Sequence, residues 1–424
     1  MNRQIRSVRG MNDILPADIH YWQWLEKTAE EVFSAHGYDH IRIPLLEKTG
    51  VFSRAIGSST DVISKEMYSF EDRNAESLSL RPEGTAGIVR AALQNGLLYG
   101  PVTRLWYQGP MFRYERPQKG RSRQFHQLGV ELFGAPGADA DAEILALGTQ
   151  LWARLGLHNL RLEINTLGTS EERVLYRDEL QSFLRARKAD LDDETNERVE
   201  RNPLRVLDSK NPQVKAILEN APLLKDHLGE DSRQHYIQLK THLDRQGIKY
   251  IENPRLVRGL DYYSHTVFEW ITEQLGAQGA VCAGGRYDSL VELQGGKPWP
   301  GTGFAMGEER LVELLRQNDE IVPPHVHAYL VMVGEDSIES GLQLAFGLRA
   351  GVPGLRLINN LNGGSFKTQF KRADRSGAAI ALVLGEDEIR GGQVTVKFLR
   401  NDAEQLNLDR DALTDWIRDY IDTI

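Results

Sequence analysis

WYQGPMFRYERPQKGRSRQFHQLGVELFG, residues 106–134, consists of two aromatic-rich segments joined by a basic loop that contains a glycine. Apolar and polar residues alternate in both segments, a pattern typical of half-buried strands. Two such strands joined by one short loop predict an antiparallel pair. Further strand-like segments lie before and after this pair, with helical segments between them. We therefore expect an α+β domain on an antiparallel sheet and not a doubly wound parallel one.

The composition limits the class of protein. The 424 residues are 41% hydrophobic and 26% charged, which is globular, and the length predicts two or three domains. There is no run of about 18 apolar residues and no apolar leader, so we expect a soluble, cytoplasmic protein without membrane contact. The single cysteine, Cys282, excludes an internal disulfide and a cysteine-based zinc site, and it fits a reducing compartment.

Charge is distributed unevenly. The net charge of −9 argues against a generally basic surface for nucleic acid. A basic cluster nevertheless surrounds the hairpin loop, and a solvated surface is the ordinary explanation for it. Against that explanation, Glu115, Gln127 and Glu131 are spaced to face one way within their strands, and inward polar groups favour a polar ligand. The basic residues are Arg104, Arg113, Arg116, Lys119, Arg121 and Arg123.

The rest of the chain divides by pattern. Apolar spacing predicts an amphipathic helix that stops at Gly37, and residues 40–52 then predict a strand whose Pro44 suits a sheet edge or an interface. Charged helical patterns predict a helical insertion over about 170–249. A Pro-Pro linker ends a first domain of residues 1–325. Alternating strands and helices predict a small α/β domain over 326–424.

LVRGLDYYSHTVFEW, residues 256–270, reads as a buried strand with an arginine near its start. A buried guanidinium is costly unless an anion meets it. The anion of Arg258 is therefore either Asp261 or a group from outside the chain, and we expect the latter, with Asp261 facing away as a structural partner.

Three further segments have ordinary structural explanations when each is taken alone. In LRPEGTAG, residues 80–87, Glu83 lies where a strand gives way to a helix, as a helix cap does. AGGRYDSL, residues 283–290, could be a glycine turn. GTGFAMGEER, residues 301–310, contains a GxG that lacks the spacing of a Rossmann fingerprint or a Walker loop.

Together, these segments resemble the class II aminoacyl-tRNA synthetases. The strand ending in FRYE with its basic loop resembles their motif 2, and GTGFAMGEERL with Arg310 resembles motif 3. The opening helix and the Pro44 strand resemble motif 1, the dimer contact of the family. LVRGLDYY and AGGRYDSL resemble two peptides peculiar to histidyl-tRNA synthetases of the bacterial type. The resemblance covers nearly the whole chain, including NPLRVLDSK at 202–210 and a C-terminal region that resembles the anticodon-binding domain.

The resemblance implies that the chain activates histidine with ATP to histidyl-adenylate and pyrophosphate, and then transfers it to the 3′ end of tRNA. Arg113 would hold the histidine carboxylate and the α-phosphate, Arg258 would meet the α-phosphate from another side, and Arg310 would cover the adenine and reach the γ-phosphate. Glu115 would accept from the adenine amino group and Phe125 would stack on the base. The three arginines are the implied catalytic residues. The implied ATP-binding residues are Arg113, Glu115, Arg121, Phe125, Gln127, Arg258 and Arg310.

Histidine recognition requires partners for two ring nitrogens, one a donor and one an acceptor when the ring is neutral. The resemblance implies that Glu131 accepts from one nitrogen and the Tyr263 hydroxyl serves the other, while Tyr262 lines the wall. Such a pocket rejects analogues that leave its polar groups unpaired, so editing is not required. The substrate's α-amino group would lie near Glu83, Thr85 and Gln127. The implied histidine-binding residues are Glu83, Gly84, Thr85, Arg113, Gln127, Glu131, Arg258, Tyr262 and Tyr263.

The remaining implied partners are tRNA, a second copy of the chain in a homodimer, and Mg²⁺. The magnesium ion would be coordinated mainly by the ATP phosphates, with no protein metal site. The hairpin loop would face the acceptor end of tRNA. The implied tRNA-binding residues are Arg116, Gln118 and Arg123, with Lys367, Gln369, Lys371 and Arg372 as candidates on the anticodon side.

Two non-catalytic relatives are alternatives. One is the synthetase-like regulatory subunit of ATP phosphoribosyltransferase, which lacks the anticodon domain and loses catalytic arginines. The other is a synthetase-like sensor of uncharged tRNA. Here Arg113, Arg258 and Arg310 are all present and an α/β domain follows Pro324, so we expect the enzyme.

Overall fold

The computed structural model describes residues 4–57, 60–118, 120–276, 279–318, 320–334 and 336–423. The chain forms two compact units, Met1–Ile321 and Val322–Ile424. No helix in the described ranges is long and apolar enough to cross a membrane.

The first unit is built on an eight-stranded sheet with the strand order β1-β5-β6-β11-β10-β9-β7-β8. Its five central pairings are antiparallel, and the two outermost, β1 with β5 and β7 with β8, are parallel. A separate antiparallel sheet has the order β2-β4-β3. The strands are β1 Asp39–His40, β2 Leu46–Lys48, β3 Ser69–Glu71, β4 Ser77–Leu80, β5 Thr103–Phe112, β6 Gln124–Phe133, β7 Arg161–Thr166, β8 Ile251–Glu252, β9 Ser264–Ile271, β10 Ala280–Arg286 and β11 Gly301–Gly307.

Helices cover this sheet and fill the connection between β7 and β8. Four of them, α5 to α8, form the predicted helical insertion together with three short 3₁₀ turns at 188–190, 203–208 and 224–227. The helices of the first unit are α1 Ile19–Ala35, α2 Thr49–Ile56, α3 Thr85–Gln94, α4 Ala138–Arg154, α5 Ser170–Arg185, α6 Asp193–Arg201, α7 Pro212–Leu218, α8 Glu230–Arg245, α9 Leu290–Leu293 and α10 Glu308–Leu315.

Alternation along the strands separates two cores. On β5, Trp106 packs into a cluster with α1 and α4, whereas Leu105 and Tyr107 pack into a second cluster with α3 and the insertion. On β6, Val130 belongs to the first cluster and Phe133 to the second. Because successive side chains of a strand point to opposite faces, the polar residues of β6 that share the parity of Phe133 face the second cluster.

Two predicted strands differ from the structure. Residues 40–52 contain the last residue of β1 and the whole of the short β2, which are separated around Pro44, and α2 begins at Thr49. Proline donates no ladder hydrogen bond, which fits a break there. Residues 255–263 are irregular, and the strand begins only at Ser264. The prediction that Arg258 lies on a strand is therefore wrong.

A buried ion pair ties α4 to β10. Arg286 and Asp141 are fully buried and 2.9 Å apart, and His235 of α8 and Thr266 of β9 also contact the Asp141 carboxylate. Burial would raise the pKa of Asp141, but Arg286 and the bond with His235 lower it to about 2. The insertion is thus fastened to the sheet by a charge network.

The second unit has a five-stranded sheet in the order β13-β12-β14-β15-β16, with the first three strands parallel and the last two antiparallel. This is a small α/β fold, as predicted. The elements are β12 Ala328–Met332, α11 Ser337–Gly351, β13 Leu357–Asn359, α12 Phe366–Arg375, β14 Ile380–Leu384, α13 Glu386–Gly391, β15 Gln393–Phe398, β16 Leu406–Asp409 and α14 Arg410–Ile421.

One anticodon-side candidate is not at the surface. Gln369 is fully buried, and its side chain accepts from Met332 N at 2.8 Å and donates to Gly364 O at 2.9 Å. It holds α12 against β12, so the prediction of a tRNA contact for Gln369 is wrong. Lys367 and Lys371 are exposed on the same helix.

We predict that Asp141→Asn lowers the free energy of unfolding of the first unit by up to about 3–5 kcal/mol, because the fully buried Arg286 loses its buried carboxylate and keeps only the partly exposed Asp288 as an anionic partner. Urea unfolding followed by tryptophan fluorescence measures this. Glu31→Gln breaks the exposed pair with Arg154 and should change the same quantity by less than about 1 kcal/mol. Equal effects of the two substitutions would contradict the account.

Candidate active site

A cavity of about 710 Å³ lies along β6, β11, β10 and β9 and is closed at its sides by loops. It brings together segments that are far apart in the chain, from Glu83 to Arg310. The predicted site residues that line it are Glu83, Thr85, Arg113, Glu115, Arg121, Phe125, Gln127, Arg258, Tyr262, Tyr263 and Arg310.

We call this cavity the chamber. Glu83 caps α3 and lines the chamber. Its two carboxylate oxygens accept from Thr85 N at 2.8 Å and Ala86 N at 2.9 Å. Burial raises the pKa of Glu83, and the two backbone bonds oppose that rise. The helix-cap explanation of this residue is thus correct, and it is compatible with a second role because a carboxylate can accept from more than one donor at each oxygen.

Glu131 lies beneath the chamber floor, 1% exposed. Thr85 Oγ1 donates to Glu131 Oε1 at 2.6 Å, and the Tyr287 hydroxyl donates to Glu131 Oε2. Burial raises the pKa of Glu131 to about 8, although both hydroxyl bonds lower it. Gln127, four residues earlier on β6, has the same facing, and its side-chain oxygen is buried without a hydrogen-bond partner among the described residues. The Glu131 carboxyl group is thus already hydrogen-bonded, whereas the Gln127 side-chain oxygen can accept a hydrogen bond from a ligand.

Gly84 is not among the residues that line the chamber. A Cβ at this position would overlap the buried Tyr107 ring, and a Cβ at Gly129 would meet the same ring from the other side. The two glycines therefore let Tyr107 pack under the chamber, and this is the function that the geometry gives Gly84.

Arg258 has an anionic partner within the chain. Its Nη1 pairs with Glu269 Oε1 of β9, and its guanidinium lies 5.7 Å from the centre of the Tyr263 ring. Burial raises the pKa of Glu269, and Arg258 opposes that rise. Asp261 is exposed and faces away, as expected. The sequence prediction that the anion comes only from outside the chain is wrong, because Glu269 on β9 provides a carboxylate partner for Arg258.

The hairpin loop and α10 place three more cations at the chamber. Arg113 follows the end of β5, donates from Nε to Pro82 O at 2.8 Å and lies 5.3 Å from the centre of the Phe125 ring. Arg121 pairs with Glu115 at 2.8 Å. Arg310 donates to Ala280 O and, at 3.3 Å, to Gly120 O, which joins the loop to β10. One side of the chamber is therefore lined by three guanidinium groups, one of which is paired with a carboxylate.

The predicted tRNA residues lie outside the chamber lining. Arg116 and Gln118 are exposed on the loop. Arg123 is stacked on Tyr114, with 3.8 Å between the guanidinium carbon and the ring centre. Lys119 lies outside the described residues. Arg116, Gln118 and Arg123 form a polar rim with two positive charges beside the cavity.

Sequence reasoning missed Glu269 and Tyr287. Neither has a spacing signal, because the partner of Tyr287 is 156 residues away and Glu269 looks like an ordinary solvent-facing position of a strand. It also missed Glu309, which accepts from His126 N at 2.9 Å and fixes α10 against β6. Among the described residues, no group of three or more His, Cys, Asp or Glu side chains could hold a metal ion.

Comparison with known proteins gives the family. The profile described as histidyl-tRNA synthetase matches residues 10–311, and that described as anticodon binding domain matches 329–420. Histidine–tRNA ligases of Alkalilimnicola ehrlichii and Hydrogenovibrio crunogenus are 55% and 54% identical over 417 and 406 residues. These alignments cover 98% and 96% of this chain and 97% and 95% of those proteins. Apo S. aureus histidyl-tRNA synthetase matches with a TM-score of 0.81 at 33% identity, over 98% of this chain and 100% of that one.

An antiparallel sheet bearing a polar chamber, followed by an α/β domain, is the architecture predicted for a class II synthetase. The chain belongs to the histidyl-tRNA synthetase family. The predicted family and fold class are thereby confirmed.

Glu131→Gln tests the buried carboxylate. A folded-state pKa of about 8 exceeds the ordinary value of 4.5, so protonation stabilises the folded chain at low pH and this contribution is lost as the pH rises through about 8. Glutamine does not titrate. We expect the melting temperature of the variant, relative to the original chain, to rise by at least about 3 °C between roughly pH 5.5 and pH 9. A difference that stays constant with pH would exclude this titration.

Proposed function

We propose that the chamber binds histidine and ATP together, joins them, and passes the histidyl group to the 3′ end of tRNA. The chain is a histidine–tRNA ligase, since relatives of that name match it over nearly its full length. Its substrates are histidine and tRNA, and its chemistry depends on ATP. The ligase prediction is confirmed over the regulatory-subunit alternative. The observation that supports this location best is the convergence of Arg113, Arg258 and Arg310 on one cavity.

Histidine would bind with its ring toward the chamber floor. Glu131 would accept from one ring nitrogen, and the Tyr263 hydroxyl would serve the other. The rings of Tyr262 and Tyr263 lie 4.6 Å apart and form an aromatic wall. The α-ammonium group would meet Glu83 and the open Gln127 oxygen, because a carboxylate and an unpartnered amide oxygen are acceptors for such a cation.

Activation would occur where the arginines converge. An oxygen of the histidine carboxylate attacks the α-phosphorus, and the bond from that phosphorus to the bridging oxygen breaks to release pyrophosphate. The protein must position the two anions and stabilise negative charge in the transition state. Arg113 would hold the carboxylate and the α-phosphate from one side and Arg258 from the other. Arg258 can do this while it remains bonded to Glu269, because a guanidinium carries five donors.

The nucleotide would extend toward α10. Phe125 would stack on adenine, Arg310 would cover the base and reach the γ-phosphate, and Glu115 would accept from the amino group. Arg121 donates to Oε2 of Glu115, and a carboxylate can accept from further donors such as the amino group of the base. Magnesium would enter with ATP as part of the substrate, held by the phosphates.

Transfer would require the tRNA end to reach the same place. The terminal ribose hydroxyl attacks the histidyl carbonyl carbon, and AMP leaves. The rim of Arg116, Gln118 and Arg123 would contact the acceptor strand through its phosphates, which orient RNA without reading its sequence.

A homodimer in the cytoplasm is part of the proposal. Leu45, Leu46 and Phe70 are large exposed apolar side chains on the small sheet and the residue before it. Leu45 and Leu46 belong to the Pro44 segment, which resembles the dimer contact of the family. Exposed apolar side chains that cluster in this way fit a protein interface.

Histidine-dependent exchange of labelled pyrophosphate into ATP tests the activation site, and charging of tRNA tests transfer. We expect both activities from the purified chain. Absence of exchange would exclude the proposed activation, whereas exchange without charging would exclude the proposed transfer to tRNA.

Arg258→Ala should lower the exchange rate by about 10³-fold or more, with histidine affinity less affected, because the lost charge acts mainly in the transition state. The substitution also leaves Glu269 unpaired. The double variant Arg258→Ala, Glu269→Gln removes that side effect and should remain inactive. Recovery of exchange in the double variant would mean that Arg258 serves only to neutralise Glu269.

Arg116→Ala should leave exchange unchanged and lower kcat/KM for tRNA by roughly 3- to 10-fold, with a weaker dependence on salt, because one phosphate contact is lost. Arg154→Ala is the matched control, an exposed arginine of α4 paired with Glu31. Loss of exchange in Arg116→Ala, or an equal effect in the control, would contradict the assignment.

A further inference from the structure

A second cavity, of about 290 Å³, lies between the helical insertion and the irregular loop 255–263. Arg258 and Leu260 line both this cavity and the chamber. The loop is therefore a wall between the two. The insertion contributes four guanidinium groups to the second cavity, and these belong to Arg173, Arg177, Arg201 and Arg205.

Two of these four arginines bond directly to the backbone of the loop. Arg205 donates to Gly259 O, next to Arg258, and Arg173 donates to Tyr263 O. Asn202 makes a longer contact of 3.5 Å with the Asp261 carboxylate between them. One bonded carbonyl thus directly follows Arg258, and the other belongs to Tyr263, with Tyr262 between the two.

The other two arginines do not bond to the loop. Arg177 pairs with its neighbour Asp178 at 3.0 Å. The Arg201 side chain is exposed and, among the described residues, has no hydrogen bond or ion pair. All four carry the same charge and line the same cavity. The two pairs differ in their bonds to the loop and in burial, because Arg177 and Arg201 are exposed whereas Arg173 and Arg205 are partly buried.

Both bonding arginines project from firm supports. Arg173 lies in the first turns of α5, whose start is closed by a capping box between Thr169 and Glu172. The same Glu172 accepts from Ser232 at 2.8 Å, which ties α5 to α8. Arg205 lies in the 3₁₀ turn 203–208, which packs between α5 and α6. The loop itself has no strand ladder to fix its backbone, and buried carbonyls need donors from elsewhere.

We propose that Arg173 and Arg205 are positioning residues that hold the 259–263 backbone so that Arg258 faces the α-phosphate and the tyrosines face the imidazole. The inference rests on the proposed function of the chamber. The helical insertion then determines how well histidine is activated, although neither arginine lines the chamber.

The test is pyrophosphate exchange with Arg173→Ala and Arg205→Ala, titrating histidine and ATP separately. Displacement of the loop by about 1 Å should lower kcat/KM for histidine by roughly 10- to 100-fold. KM for ATP should change by less than about 3-fold, because most of the nucleotide site lies on the hairpin and α10. Arg205→Lys keeps one donor for the Gly259 carbonyl and should recover part of the loss. Arg177→Ala and Arg201→Ala are the matched controls and should retain exchange.

A histidine kcat/KM in Arg205→Ala equal to that of the original chain would overturn the inference. Equal losses in Arg177→Ala would also overturn it, since they would indicate the summed charge of the cavity and not the bonds. If an alanine variant does not fold, Arg205→Lys still decides, because an unchanged KM for histidine there together with a lowered melting temperature means a merely structural role.

Arg258→Ala, measured in parallel, distinguishes a failure of the proposed function from a failure of the positioning role. If it retains exchange, the proposed function of the chamber fails. If it abolishes exchange while Arg173→Ala and Arg205→Ala do not affect histidine use, only the positioning role fails.

Discussion

A carboxylate buried under a polar chamber must be given hydrogen-bond donors, and the donors of Glu131 come from residues 46 and 156 positions away. Thr85 is the first residue of helix α3, and Tyr287 directly follows strand β10. Only the order in which β6, β11 and β10 pair brings these hydroxyls to one carboxylate. The sheet topology and the proposed histidine pocket are therefore one arrangement, because a one-residue change in strand register would move the carboxyl group to the opposite face and away from its hydrogen-bond donors.

The same constraint governs the arginines. Glu269 lies on a central strand and meets Arg258 from an irregular loop, so the loop is attached to the sheet by an ion pair on one side and to the helical insertion by backbone bonds on the other. Arg113 and Arg310 are held by bonds to carbonyl oxygens, at Pro82 and Ala280. Each cation of the chamber is thus fixed by the scaffold before any substrate arrives. Such preorganisation is what electrostatic stabilisation of a transition state requires, and a chain of net charge −9 can provide it locally.

The sequence was sufficient for the family, the fold class and eleven of the residues that line the chamber, because these depend on motifs that are continuous in the chain. It was insufficient where tertiary contacts override local pattern. Apolar and aromatic residues at 256–263 looked like a strand, but the backbone bonds to arginines and not to a neighbouring strand. Glu269 was missed because alternation cannot tell which strand position meets a loop. Gln369 was assigned to RNA from its basic neighbours, yet the helix turns it inward.

The central claim is that a bound histidine ring is enclosed, with Glu131 and Tyr263 as partners of its two nitrogens. Nitrogen NMR of histidine labelled in the ring, bound to the protein and followed over pH, measures this directly. Free imidazole side chains titrate near pH 6.5. The account predicts that the bound ring does not follow that titration, that both nitrogens show hydrogen bonding, and that Glu131→Gln changes the signal of one nitrogen only. A bound ring that titrates like free histidine would mean that it stays in solvent, and would contradict the account.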